Sequence, residues 1–301
     1  MSKFGRNYIL RIQTNDLTDW IIIQPPFTIE FDVVRSAFSA QNDASIRIYN
    51  LSALTRDKLR VDFFDFGRRR KIQLMAGYGQ NMAKIFDGIF NHGFSVRNGV
   101  DFVTTVEGFD GGYGFKYAQA NYSFGAGIPY TQILSTLADG LAPFGIAKGK
   151  ITKQINKYTL KPIPVGGPIL DSMKQFSDVA SVFVDNGVVY VAAATDSVPG
   201  GYNVVNAQTG LLDTPILNQL QVTCNVLFEP RFILGQQIYL DTSTGSQQVL
   251  SIPTQKNKFQ YAMNGFYKIY GIKHSAIISP TVNGPAKTSL TLMSGNFTDM
   301  T

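Results

Sequence analysis

The side chains able to do chemistry are few and scattered. The chain has three glutamates, Glu30, Glu107 and Glu229, each in or beside an expected strand. Glycoside cleavage needs two carboxylates facing one pocket, and no pair of acidic residues here shows such a spacing. The two histidines, His92 and His274, offer a metal ligand or a general base; a strand or interface role suits their surroundings better. One cysteine, Cys224, and two distant histidines assemble no standard zinc site. Cys224 falls in the alternation Leu220, Val222, Cys224, Val226, which predicts a buried small hydrophobe, and a lone cysteine excludes an internal disulfide. Gly145-Ile146-Ala147-Lys148-Gly149-Lys150 looks like a phosphate loop. It lacks the four-residue spacing and the hydroxyl residue after Lys. Gly125-Ala126-Gly127 lacks the third glycine of a dinucleotide fold. The expectation is a protein that is not an enzyme, with no catalytic, cofactor-binding or metal-ligating residue and no cofactor.

The elements that would position any site are strands. From Ser45 to Gly112 the pattern predicts four strands and one helix. Ser45–Tyr49 alternates apolar and polar. Leu51–Leu59 reads as a helix capped by Ser52, with a narrow stripe of Leu51, Leu54 and Leu59. Lys71–Ala76 and Ile85–Val96 are strands. Asn98-Gly99 predicts a hairpin turn with both residues at φ > 0, and Val100–Glu107 returns, ending at Asp110-Gly111-Gly112. Before this block, Tyr8–Ile12, Trp20–Ile23 and Phe27–Val33 read as strands.

After it the period changes. Ile133, Leu134, Leu137, Ala138 and Leu141 have helical spacing, as do Ile169, Leu170, Met173, Phe176 and Ala180. Ser181–Val184 and Val188–Val191 flank Asp185-Asn186-Gly187 as a hairpin. Thr195–Tyr202 reads as a loop. Strands return at Gln219–Leu227, Gln237–Leu240, Phe266–Ala276 and Thr288–Met293, with Asn283-Gly284 in the last turn region. The fold class is therefore mainly β with an α/β insert: two similar β-barrel domains, 1–118 and 206–301, flanking a small α/β region at 119–205.

Composition narrows the role. Of 301 residues, 44% are hydrophobic and only 16% charged, against about 25% charged in an average soluble domain. A surface poor in charge and rich in Phe and Tyr is one covered by neighbours; an ordinary β-rich chain with aromatic strands is the other reading. The net charge of +6 raises nucleic-acid binding. Its densest run, Arg68-Arg69-Arg70-Lys71, is short and equally suits a solvated turn or an acidic protein partner. No apolar run reaches the ~18 residues of a membrane span. No apolar signal core follows Met1, so synthesis in the cytoplasm without export by that route is expected.

The two β halves share an order of elements. A strand precedes an irregular or helical span; a second strand and a long strand carrying a histidine follow; a turn and a return strand close the unit. This predicts a duplicated architecture.

Ile48-Tyr49-Asn50-Leu51-Ser52 leading to Thr55-Arg56, then Leu74-Met75-Ala76-Gly77-Tyr78 and Ile85-Phe86-Asp87-Gly88-Ile89, resemble the baseplate hub proteins of tailed bacteriophages, as in contractile-tailed phages. So do Asn98-Gly99-Val100-Asp101 through Val106–Gly111, Val222–Pro230, Leu234–Ile238 and Asn264–Ile269 before His274. The resemblance implies a homotrimer with two similar barrels per chain. Three chains would form a pseudo-sixfold ring that adapts a hexameric tail tube protein to a trimeric central spike protein, among other baseplate proteins. The virion baseplate would be its location, and its channel would pass DNA transiently during genome ejection. The alternatives are a receptor- or glycan-binding tail component, with Tyr113, Tyr117, Tyr122 and Phe124 as stacking aromatics, or a virion-associated cell-wall hydrolase.

Overall fold

Alternating sequence builds the first strands. The computed structural model describes residues 4–37, 41–60, 69–201, 203–218, 221–242, 248–249, 264–281 and 284–300. β1 (Arg6–Gln13) buries Tyr8, Leu10 and Ile12; β2 (Trp20–Ile23) pairs beside it. β3 (Ile29–Ser36) buries Ile29, Phe31, Val33 and Arg35, and β4 (Asn42–Tyr49) buries Ala44, Ile46 and Ile48. α1 (Ala53–Leu59) starts where the Ser52 hydroxyl accepts the Thr55 N–H at 3.2 Å. Leu51 and Leu59 are buried, but Leu54 is 79% exposed and leaves the expected stripe. Leu51 lies outside the helix, next to left-handed Asn50, so it reaches the core from a different direction.

β5 (Lys71–Tyr78), β6 (Asn81–Asn98) and β7 (Asp101–Asp110) follow. The β6–β7 turn differs from expectation by one residue. Asn98 remains in the ladder opposite Asp101, so the two-residue loop is Gly99-Val100, with Gly99 at φ 62. A short helix, α2 (Gly112–Tyr117), begins after left-handed Gly111, where sequence signals marked only an end.

The middle region contains β8 (Gln119–Phe124), α3 (Tyr130–Asp139), β9 (Ala147–Ile151), β10 (Ile163–Pro168), α4 (Ile169–Lys174), β11 (Ser181–Asp185) and β12 (Val188–Ala192). The second expected helix is shorter than its apolar pattern. Beyond Lys174 the N–H groups of Phe176, Ser177 and Val179 bond three residues back, and tight turns keep Phe176 and Ala180 buried without an α-helix. Asn186 and Gly187 both have positive φ, and Asp185 pairs with Val188 as the hairpin signal predicted. Ile133, Leu134, Leu137, Ile169, Leu170 and Met173 centre the core of this region.

The closing part comprises β13 (Asp196–Ser197), β14 (Asn203–Val205), β15 (Ile216–Asn218), β16 (Gln221–Leu227), β17 (Gln237–Leu240), β18 (Gln248–Val249), β19 (Gly265–Ile278), β20 (Ala286–Ser294) and β21 (Thr298–Asp299). β13 lies in the stretch expected to be loop, because it pairs with the distant β21. Leu220 and Asn283, used in the sequence reading, lie outside the described residues, as does Arg68.

The mainly-β class holds, but no pairing among the described residues closes a barrel. Fourteen strands form one sheet, whose path runs β18-β15-β16-β20-β19-β3-β4-β7-β6-β5-β1-β2, with β17 and β14 branching from β19. The two halves fuse because β19 is long enough to serve two partners along one edge. Its first residues pair with β17 and its last, Gly271–Ile278, with β3.

Candidate assembly site

Four side chains from three parts of the chain meet in a buried joint. Arg35 on β3 continues the inward alternation of Phe31 and Val33, so the strand carries a guanidinium into the interior. Its Nη1 donates to Asp185 at the β11 turn, 3.1 Å away, and its Nη2 donates to the Phe232 carbonyl at 2.8 Å. Nη2 also lies 3.2 Å from Nε2 of His274, which is fully buried on β19.

Arginine has no acceptor, so Nε2 of His274 accepts and the proton sits on Nδ1. Nδ1 donates in turn to the Thr288 hydroxyl, 2.9 Å away, which also accepts the Glu229 N–H. Burial first, and Arg35 second, hold the His274 imidazole well below its ordinary value, so the ring is neutral. Nearby, Asp110 accepts the Gly187 N–H at 2.9 Å and a longer bond from Asn42. Burial, then the charge of Asp185, push Asp110 up to about 7. Sequence reasoning singled out His274 and missed the other members. A charged residue at the fourth inward position of β3 was the available signal.

Two members of this joint, His274 and Thr288, belong to a strand unit that occurs twice in the chain. In the first half β4 pairs with β7, β7 with β6 and β6 with β5; in the second, β16 pairs with β20, β20 with β19 and β19 with β17. Every pair is antiparallel. Each long strand carries a register shift against its return strand, between Phe90 and His92 in β6 and between Ile269 and Gly271 in β19; β6 has a second one against β5, opposite Leu74 and Met75. Aligning the two shifts matches the buried positions of β4 with those of β16, and of the middle of β7 with those of β20. Ala44, Ile46 and Ile48 fall on Val222, Cys224 and Val226; Thr104 and Val106 fall on Thr288 and Leu290. The cross-strand bond between Ser95 and Thr104, 3.0 Å, then falls on that between His274 and Thr288.

The two histidines are not equivalent in this frame. His92 matches Gly271; it is exposed, with its ring 5.2 Å from that of Phe94.

The remaining candidates disperse. Glu30 pairs with Arg47 at 3.1 Å, and Glu229 holds Arg231 through both oxygens. Glu107 sits across the ladder from His92 and Ser45. Cys224 is buried and its thiol is pushed up to about 12, chiefly by burial. Gly145 is a left-handed stop after a single 3₁₀ turn, and Lys148 pairs with Asp139.

Among the described residues of the basic run, two arginines are engaged within the chain. Arg69 stacks over Tyr113 at 3.6 Å, and Arg70 is buried, donating to the Gln13 and Lys58 carbonyls. Tyr113 contacts Tyr117, while Tyr122 and Phe124 pack against the middle core, so these four aromatics split into two groups. Among the described residues no group of three His, Cys, Asp or Glu could hold a metal ion, and no helix is long and apolar enough to cross a membrane.

A twice-used antiparallel unit and a buried ionic joint define the class: a mainly β scaffold with an embedded α/β segment. The chain belongs to the Baseplate hub gp41 family, whose model matches residues 9–245, and is thus a structural protein of a phage tail baseplate. No curated protein matches it by sequence. Its fold is similar to that of a tail protein from Neisseria meningitidis MC58, with TM-score 0.61, 10% identity and 98% of each chain covered. It is also similar to the 43 kDa tail protein of prophage MuSo2 from Shewanella oneidensis, with TM-score 0.60, 9% identity, and 96% of this chain and 97% of that one covered. A chain of the Francisella PdpA-VgrG complex matches with TM-score 0.50 at 8% identity; 96% of this chain covers 58% of that one.

Proposed function

We propose that three copies of this chain form a pseudo-sixfold ring joining the hexameric tail tube to the trimeric central spike and surrounding the genome channel. The observation that carries this reading is the duplicated pairing pattern, with a register shift at the matching place in β6 and β19 and matching buried positions on β4 and β16. A trimer whose chains each present one unit twice offers six similar surfaces to a sixfold tube and three to a spike. A trimer of single units would leave alternate tube subunits unmatched. The division into 1–118, 119–205 and 206–301 belongs to the same proposal, with the middle segment as the part that breaks the sixfold repeat. The protein acts by shape and contact, without catalysis, and DNA passes without lasting affinity.

Light scattering on the purified chain, with class averages from electron microscopy, tests it. The expected result is a hollow ring of three subunits and six lobes. A particle of another stoichiometry overturns the reading. Clearing of a cell-wall suspension by the pure protein would overturn the non-catalytic part.

A further inference from the structure

We infer that the outer edge of β9, in the middle region, is a docking site for an extended acidic segment of a partner protein. The segment adds to the edge as a strand and sets its carboxylates against lysines. The inference does not depend on the ring proposed above, because the site lies within residues 129–158 and uses neither duplicated strand unit.

The sequence here is one-sided in charge. From Gly140 to Leu170 the chain has five lysines and no acidic residue. Two of the five are neutralised by carboxylates outside that stretch: Lys148 pairs with Asp139 at 2.7 Å and Lys157 with Asp178 at 2.6 Å. Lys150, Lys153 and Lys161 are exposed, with no ion-pair partner among the described residues. The fold puts two of these beside an open edge. The three-stranded sheet runs β11-β12-β9, so among the described residues β9 is paired on one side only. On that side the Ala147 N–H donates to the Gly187 carbonyl and the Thr152 N–H to the Val191 carbonyl, each at 2.8 Å. An edge strand leaves its alternate N–H and C=O groups open to another chain. A groove of about 530 Å³ borders the strand and α3. Thr131, Gln132 and Ser135 line it from α3, and Lys148, Lys150 and Lys153 line it from β9 and the residues just beyond. No carboxylate lines it.

Charge and edge together select the occupant. Lysines on an edge discourage apolar strands, because pairing would desolvate the ammonium groups without compensation. A strand with carboxylates at alternate positions removes that cost and adds attraction, so the same lysines that refuse one partner admit the other. A phosphodiester chain also carries anions, but its backbone is rich in acceptors and gives no donors to the open carbonyls of β9. A peptide strand answers both the N–H and the C=O groups. The groove also lacks arginine; none stands between Arg97 and Arg231, so the bidentate guanidinium that suits phosphate is missing.

The test uses the full-length chain and two fluorescein-labelled peptides, one alternating glutamate with threonine, the other alternating glutamate with proline. Proline removes backbone donors while keeping the charge. Oligothymidylate of matched charge is the nucleic-acid probe. Binding is read by fluorescence anisotropy at low salt, with hydrogen exchange followed over residues 147–153. The expected result is binding of the glutamate–threonine peptide, slowed exchange along β9, and clearly weaker binding of the proline peptide. The double variant Lys150→Glu with Lys153→Glu should weaken binding about tenfold or more, with an unchanged thermal melt. Lys150→Gln with Lys153→Gln, which removes charge without adding any, should give a smaller loss in the same direction. No binding, equal binding of the two peptides, or binding that both double variants leave unchanged overturns the inference. Tighter binding of oligothymidylate, lost in the same variants, assigns the groove to nucleic acid and also overturns it. None of these outcomes bears on the ring.

Discussion

Arg35 and Asp185 form an ion pair of 3.1 Å with side chains only 2% and 3% exposed. It joins a strand of the first half to the hairpin of the middle region, and Arg35 also reaches the second half through Phe232 and His274. One guanidinium thus ties three segments that are far apart in the chain.

Removing one charge of this pair strands the other. Asp185→Asn is expected to cost about 3–5 kcal/mol in urea unfolding, because an uncompensated buried cation remains. Replacing both, Arg35→Met with Asp185→Leu, should cost clearly less. A double variant as unstable as the single one would show that the pair is not the source of the loss.

Thr288 and Thr104 hold matching places in the two units and are both fully buried. Thr288→Val orphans the His274 Nδ1–H and the Glu229 N–H, with an expected cost of about 2–4 kcal/mol. Thr104→Val deprives only the exposed Ser95 hydroxyl, which water can satisfy, and should cost about 1 kcal/mol or less. Equal losses in chemical denaturation would contradict the network drawn around His274.

Asp110 makes stability depend on pH. Its carboxyl is raised from an ordinary 3.8 to about 7, by burial and then by Asp185. Between those values the folded chain keeps a proton that the unfolded chain has released. Stability contributed by this group is therefore full at the acid end, falls as pH rises toward about 7, and levels off above. The expected loss is on the order of 4 kcal/mol. Asp110→Asn keeps an acceptor for the Gly187 N–H and should flatten the slope. Unfolding midpoints of the two proteins across this window check it; parallel curves would count against Asp110 as the source.

Phe228 follows β16 in the second half yet packs in the first core, fully buried against Phe31 and Tyr78, with its carbonyl accepting the Tyr78 hydroxyl at 2.8 Å. Phe228→Ala is expected to cost about 3–5 kcal/mol. Calorimetry should show the loss in one shared transition, since the side chain bridges both ladders. A shift confined to one of two separate transitions would refute that bridging role.

What the sequence settled by itself is local. Alternation at Ile29–Val33 and Ser45–Tyr49, the Ser52 cap, the helical spacing of Ile133–Leu137 and the Asn186-Gly187 turn each act over a few residues, and each appears where its pattern stands. The order of strands that betrayed a duplication was legible for the same reason. The pairing of β3 with β19 was not, because strands more than 230 residues apart carry no mutual signal in a single sequence. Nor was the Arg35–Asp185 joint, since a charge within an alternating strand declares its burial only once its partner arrives. Two expected barrels became one continuous sheet by the same physics: hydrogen-bonding edges are shared by whichever long strand reaches them, and only the folded chain decides which one does.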